Sequence, residues 1–407
     1  MLFLSALIPN SAIRENYEKS VYYYSDKSAF AFTNGKKLNA AADHYADSIW
    51  LGIAWNIGNG HPFAATLQTA YYDGEALGEN AGLYYTVAED AAPNVDYTRY
   101  WHGTAMFIRP LHLFTDIQGI KAVGFSLFLL LLAITLLILV RKKHLGIAVL
   151  LSLALLAVQI WNIRLSLEYQ PSFLIAFAII PPLLILEGKN DKWLTVFAVI
   201  GGTATAFFDF LTTETVTLLL PLALVVAVRA KENRLGDLKK SALLLFRCGV
   251  AWACAYIAAF LVKWGAASAV SHTNAFSAAL SSVAERIGGQ TEIAGDMSES
   301  FFSSAIANLS VLFGSETRIA GGRVFVGLLL TALLLLSVWY LFRSDKKASV
   351  AAYLLLGLGG LVLIRYLILN NHSYLHCFFT YRALVTPIFA LGAAVYLNIK
   401  LPLGKGR

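Results

Sequence analysis

Ile120–Val140 reads IKAVGFSLFLLLLAITLLILV and runs straight into Arg141-Lys142-Lys143-His144. A helix rises about 1.5 Å per residue and bilayer hydrocarbon is about 30 Å thick, so about 20 apolar residues suffice to cross it. This run meets that length, and the basic cluster marks where it stops. Working outward, apolar runs of the same kind recur at 145–162, 171–186, 194–210, 214–228, 241–263, 324–342, 348–367 and 383–400. The expected fold class is an all-α polytopic membrane protein with nine full transmembrane helices. Composition agrees: of 407 residues 57% are hydrophobic and 14% charged, where soluble domains carry about 25% charge.

The formal charge of +7 would suit a nucleic-acid partner, but the cations are gathered in short loops. Arg141–His144, Arg229–Lys240, Arg343–Lys347 and the tail with Lys400, Lys405 and Arg407 fall on one side of the expected topology. The opposite loops, Asn162–Gln170, Asp209–Glu214 and Asn370–Arg382, carry far fewer. By the positive-inside rule the basic side is cytoplasmic, so the long loops lie outside and the C-terminus inside. The partners expected are membrane lipids and not nucleic acid. Cys248 and Cys254 share one helix and Cys377 is remote, which indicates neither a disulfide set nor a zinc site.

Met1–Ile13 (MLFLSALIPNSAI) is apolar, too short to span, and lacks the basic region and cleavage site of a signal peptide. It reads as the outer end of a truncated first transmembrane helix, or as a short interfacial anchor. The chain then divides into that segment, an extracytoplasmic loop over 14–119, a helix bundle over 120–263, a second external loop over 264–323, and C-terminal helices with a tail over 324–407. Turn signals at Asn34-Gly35, Gly58-Asn59-Gly60 and Pro93-Asn94 punctuate the first loop. Amphipathic interfacial helices are expected there at about 40–56, capped by Asn39, and at about 98–114. The 264–323 loop should form short helices over the bundle.

Four constellations have chemical potential. Asp43 and Asp47, four apart, would share one helix face; they suit a general base or a divalent-metal site, or are that helix's solvated face. Arg99, Trp101, His102 and Arg109 place donor forks among aromatics, fit for a lipid phosphate or for snorkelling at the interface. Asn371–Arg382 packs His372, His376 and Arg382 into a short external loop, too few ligands for a metal but suited to phosphate or sugar. Asp209 and Glu214 lie in a tight outer turn, either functional or capping the next helix. Arg164 and Glu168 are spaced for an internal pair, and Lys263 and Arg365 approach the outer face. No phosphate-binding loop, hydrolase elbow or zincin motif occurs.

With these motifs in place the chain resembles the GT-C family of membrane glycosyltransferases. The shared plan is a first span, a large outer loop with interfacial helices and an essential acid, and then a many-helix bundle. The blocks DHYADSIW, TRYWHG, FFDFLTTE and NHSYLHCFFTYR are also similar to those of poorly characterised bacterial polytopic membrane proteins, which implies the bacterial cytoplasmic membrane. The chain departs from the family in lacking an Asp-Glu dyad at the start of the outer loop. The resemblance implies transfer of a sugar from a polyprenyl-phosphate donor to an extracytoplasmic glycan, lipid or protein acceptor. It casts Asp47 as the base with Asp43 beside it, and Arg99, His102, Arg109, Arg382 and Lys263 on the donor phosphate. Trp50 and Trp101 would stack on sugar rings, with Asp209, His372 and His376 also at the substrate. The resemblance singles out no cofactor, and a divalent metal is compatible with the acidic pair. A transporter or flippase of lipid-linked glycans would use the same cations without a base, and a non-catalytic scaffold would leave these groups scattered.

Overall fold

The computed structural model describes residues 1–74, 80–209, 211–271, 274–288, 302–317, 329–337 and 346–398. The apolar start of the chain is two helices, α1 (Leu2–Ala6) and α2 (Asn10–Ser25). Pro9 divides them in extended backbone, because it has no N–H to offer and cannot continue α1. A short hairpin follows, β1 (Phe30–Phe32) antiparallel to β2 (Ala41–Asp43). Pairing with β1 takes up Ala41–Asp43, so α3 begins at His44 and runs to Asn56, capped by Asp43 and not by Asn39. Three short helices complete the unit: α4 (Pro62–Gln68), α5 (Ala81–Ala88) and α6 (Ala105–Leu111). The helix expected over 98–114 is reduced to α6, since His102 takes a left-handed backbone with φ of 51° just before it.

These pieces form a folded unit with its own core, not a pair of interfacial helices. Trp50, Leu51, Ile53 and Trp55 of α3 are buried against Tyr17 and Tyr24 of α2, Leu83 of α5 and Ile108 of α6. A helix covered on all sides cannot lie flat in a headgroup layer. The two tryptophans serve packing.

The bundle comprises α7 (Ile117–Arg141), α8 (Leu145–Ala157), α9 (Pro171–Leu186), α10 (Lys192–Phe208), α11 (Val216–Lys231) and α12 (Leu238–Ser271). After α13 (Ala275–Gly288), α14 (Ser303–Leu312) and α15, described over 329–337, come α16 (Lys346–Ile368), α17 (Asn370–Leu375), α18 (Cys377–Thr380) and α19 (Val385–Asn398). Among the described residues five segments are long and apolar enough to cross a membrane: Ile117–Arg141, Leu167–Leu186, Leu238–Ser271, Val350–Ile368 and Cys377–Asn398. α8, α10 and α14 are apolar but shorter. Of the span expected at 324–342, only 329–337 lies within the described residues. α12 continues past Lys263 to Ser271, so the loop read as beginning at Trp264 begins later.

The burial pattern sets a fully buried central helix against outer helices with uncovered apolar faces. Val216 and every residue from Leu219 to Val228 on α11 are buried, as expected of a helix apolar all round at the centre of a bundle. By contrast α7 turns Val123, Leu127, Leu130 and Leu137 outward at 47% exposure or more. An exposed apolar face of that extent needs an apolar surrounding. α10 and α12 approach until their backbones nearly touch: a Cβ on Gly202 would lie 2.2 Å from the Trp252 carbonyl oxygen, so only glycine fits.

One end of the bundle gathers the basic loops. Buried Glu187 accepts from Arg229 at 2.8 Å and Arg234 at 2.6 Å, while His144 meets Glu232 at 2.8 Å. Asn162, Ser166, the 209–215 turn and the α16–α19 connection instead meet residues of the first unit or one another.

Candidate functional site

The site is assembled where the first unit rests on the bundle. Asp43 caps α3, its Oδ1 accepting from Ala46 N at 2.8 Å, and its own N–H donates to Ser166 Oγ at 2.7 Å. Asp47 sits one turn into α3 and is fully buried. Its Oδ2 accepts from the Tyr24 hydroxyl at 2.7 Å and from Lys121 Nζ at 3.2 Å, and its Oδ1 from Leu167 N at 2.7 Å. The two carboxylates therefore do not share a face: one is a cap, the other is one half of a buried ion pair. Burial first, and then Asp47, holds the Tyr24 phenol well above its ordinary range, so it remains a donor. Three donors hold Asp47 and Lys121 balances its charge, so its assignment as the base is corrected to that of a structural ion-pair partner.

Asp43 keeps different company. It lies beside buried Glu168, whose further acidic neighbours are Asp47 and Asp209. Glu168 does not pair with Arg164, as their spacing suggested; Arg164 is exposed on the 3-10 turn Ile160–Leu165 while Glu168 is buried. Next to the acidic pair is Tyr169, within the fields of Asp43, Glu168 and Arg382. The Arg382 guanidinium lies 4.4 Å over the Tyr169 ring and 4.9 Å from that of Tyr381. Arg382 is 1% exposed, yet among the described residues its one hydrogen bond is Nη1 to Phe378 O at 3.3 Å, and Nε and Nη2 have no partner there. A buried donor left unmade is costly, and a charged one more so.

The other expected phosphate ligands behave differently. Arg109, fully buried, donates to Ser5 O at 3.0 Å, Ala54 O at 2.7 Å, Trp55 O at 3.3 Å, Asn10 Oδ1 at 2.9 Å, and Ile8 O. These carbonyls lie at the ends of α1 and α3, so Arg109 caps two helix C-termini at once. Lys263 does the same for α4, donating to Leu67 O at 2.6 Å and Thr66 O at 3.4 Å. Both are spent on backbone. Trp101 donates to Ala259 O at 2.9 Å, lies 5.6 Å from Lys263 Nζ, and docks this segment onto α12. Trp50 is 3% exposed within the first core and has no face for a sugar.

Arg99 is half-buried over the Tyr97 ring, bonded to the Tyr97 hydroxyl at 2.9 Å and Ser282 Oγ at 3.3 Å. His102 is buried; desolvation first, then Lys263 and Arg99, hold its imidazole well below the usual range, so it is neutral and a poor phosphate clamp. Tyr100 connects this group to the acids, lying in the fields of Arg286, Arg99 and Asp209. His372 and His376 have ring centroids 4.7 Å apart, and His376 stacks on Phe379 at 5.1 Å. Burial first, then His376, keeps His372 neutral. Among the described residues no group of three or more His, Cys, Asp or Glu is arranged to hold a metal ion.

Asp209 follows α10 and accepts from Ser172 Oγ at 2.9 Å, from Thr212 N at 3.0 Å, and from the Thr212 hydroxyl. Glu214 beside it forms a two-pronged pair with Arg365, Nε to Oε1 at 2.7 Å and Nη2 to Oε2 at 3.0 Å. Burial, and then Glu214, raises the Asp209 carboxyl to about 6. Its native pKa is above its unfolded one, so its contribution to stability is full below about pH 4 and is lost as pH rises through about 6. Asp209→Asn is expected to remove that slope, worth of order 3 kcal/mol, with the amide oxygen still accepting from Thr212. Thermal unfolding in detergent across pH 4–7 checks it; equal slopes in both proteins would show that Asp209 does not titrate there.

Lys121, Tyr24, Glu168 and Tyr169 were not legible as site residues. The available signal was Lys121, a cation one residue into a long apolar run. Comparison with protein-family models, with curated proteins and with solved structures returned no match.

Proposed function

We propose that this chain is a GT-C-type membrane glycosyltransferase that moves a sugar from a polyprenyl phosphate to an acceptor outside the cytoplasm. In this reading nine helices span the membrane, the basic loops face the cytoplasm, and the first unit and the α16–α19 connection lie outside. The observation that carries it is Arg382: a buried cation with two unpartnered N–H donors, stacked on the tyrosine that adjoins an acidic pair. Such a group is built to receive an oxyanion.

Asp43, with Glu168 beside it, takes the role first given to Asp47. The acceptor hydroxyl gives its proton to this carboxyl pair as its oxygen bonds to the sugar's anomeric carbon. The anomeric carbon–phosphate oxygen bond breaks, and the departing polyprenyl phosphate keeps the electron pair and is held by Arg382. An apolar cleft of about 500 Å³ supports a long-chain donor, a size within the range of small-molecule sites. Its walls come from α14, α15, α16 and α19, and include Leu384 and Ile388, which follow Arg382 in the chain.

Purified protein given a panel of polyprenyl-phosphate hexoses and a membrane extract as acceptor should release polyprenyl phosphate. Asp43→Asn should lower that release by about 100-fold or more. Release from no donor by the wild type, or an undiminished rate in Asp43→Asn, would remove the reading.

A further inference from the structure

On the other side of the Asp47–Lys121 pair lies an open cleft of about 530 Å³. Its position is set by Asp116, which caps α7 through Gln118 N and Gly119 N, both at 3.1 Å, and so starts the first membrane helix there. Residues 118–126, the first turns of α7, make one wall; the 3-10 turn carrying Arg164, the chain after α2 and the β-hairpin make the others. The level is thus where a headgroup layer meets hydrocarbon.

The charge is one-sided. Lys27, Lys121 and Arg164 line the cleft, and none of its lining residues is Asp or Glu. Lys121 is committed to Asp47, Tyr24 and Leu165 O and its charge is balanced by Asp47, so the net positive charge of the cleft rests on Lys27 and Arg164. Lys27 lies 4.9 Å over the Tyr23 ring, which also lines the cleft, and its one ion pair among the described residues is a 3.5 Å contact with Asp26, whose side chain is 79% exposed. Exposed Arg164 has no ion-pair partner among the described residues. Cations in a cleft with low-dielectric walls focus field on whatever enters. Below them the wall becomes apolar: Ala122 and Phe125 line the cleft, and Leu129 and Leu130 continue outward along α7 at 45% and 57% exposure.

We infer that this cleft binds the phosphate headgroup of an anionic membrane lipid, with Lys27 and Arg164 on the phosphate and an acyl chain along α7. The inference does not depend on the glycosyltransferase reading, whose phosphate is placed at Arg382. Phosphate chemistry fits Arg and Lys donors, and the apolar track continuing from the cations selects a lipid over a free anion.

The test uses the full chain in phosphatidylcholine nanodiscs with and without phosphatidylglycerol, reading retained phosphatidylglycerol by native mass spectrometry. Lys27→Gln with Arg164→Gln, both at accessible positions, should weaken retention by about 30-fold, as expected for two headgroup-level cations. Lys36→Gln with Lys37→Gln removes the same charge elsewhere on the first unit and should change nothing. Ala122→Trp, which fills the acyl track, should also release the lipid. Equal retention by the Lys27/Arg164 variant and the wild type overturns the site. So does an equal loss in the Lys36/Lys37 control, which would mean diffuse surface charge. Full displacement by inorganic phosphate would show a free-anion site and also overturn it.

Discussion

Arg382→Gln is expected to cut sugar transfer by at least about 100-fold while leaving the protein as stable as the wild type or more so. The rate follows from the loss of preorganised donors at the leaving phosphate, since a single such donor is worth about 10²–10³ in rate. The stability follows from what Arg382 lacks. It makes one long hydrogen bond, to Phe378 O at 3.3 Å, and otherwise only ring contacts. Removing a buried cation that has no counter-ion among the described residues relieves a desolvation cost. Arg382→Lys keeps the charge but not the planar fork and should recover only part of the rate. Steady-state transfer beside thermal unfolding in detergent reads both quantities. A variant that unfolds earlier and transfers normally per folded molecule would make Arg382 a structural residue.

Asp47→Asn should behave in the opposite way. It leaves Lys121 buried, at 8% side-chain exposure, without its anion. Breaking one side of a buried pair costs about 3–5 kcal/mol. The expected result is less folded protein and early unfolding, with transfer per folded molecule retained. Replacing both partners, Asp47→Leu with Lys121→Met, should restore much of the stability, because neither uncompensated charge remains. Size-exclusion profiles and unfolding curves of the single and double variants measure this. A stable but inactive Asp47→Asn protein would return the role of base to Asp47.

Together the two experiments divide the charged layer by function. Arg109, Lys263 and the Lys121–Asp47 pair hold the first unit to itself and to the bundle. Glu214 and Arg365 tie the 209–215 turn to α16. Arg382 has no such duty: among the described residues its contacts are the Tyr169 and Tyr381 rings and Phe378 O, and the proposed reaction is assigned to it for that reason.

The amino-acid sequence by itself determined the all-α class and the presence of helices long and apolar enough to cross a membrane, five of them among the described residues. Those features rest on local signals: the length of an apolar run, a basic cluster at its end, a proline or an Asp cap at a boundary. It misjudged where the helices near residues 40 and 98 begin, because strand pairing with Phe30–Phe32 and the left-handed His102 are invisible to periodicity. Only the tertiary structure decided what each charged side chain does. Asp47 meets Lys121 across 74 residues, and Glu214 meets Arg365 across 151. A carboxylate's role is set by the donors around it once water has been removed, and those donors arrive from remote parts of the chain.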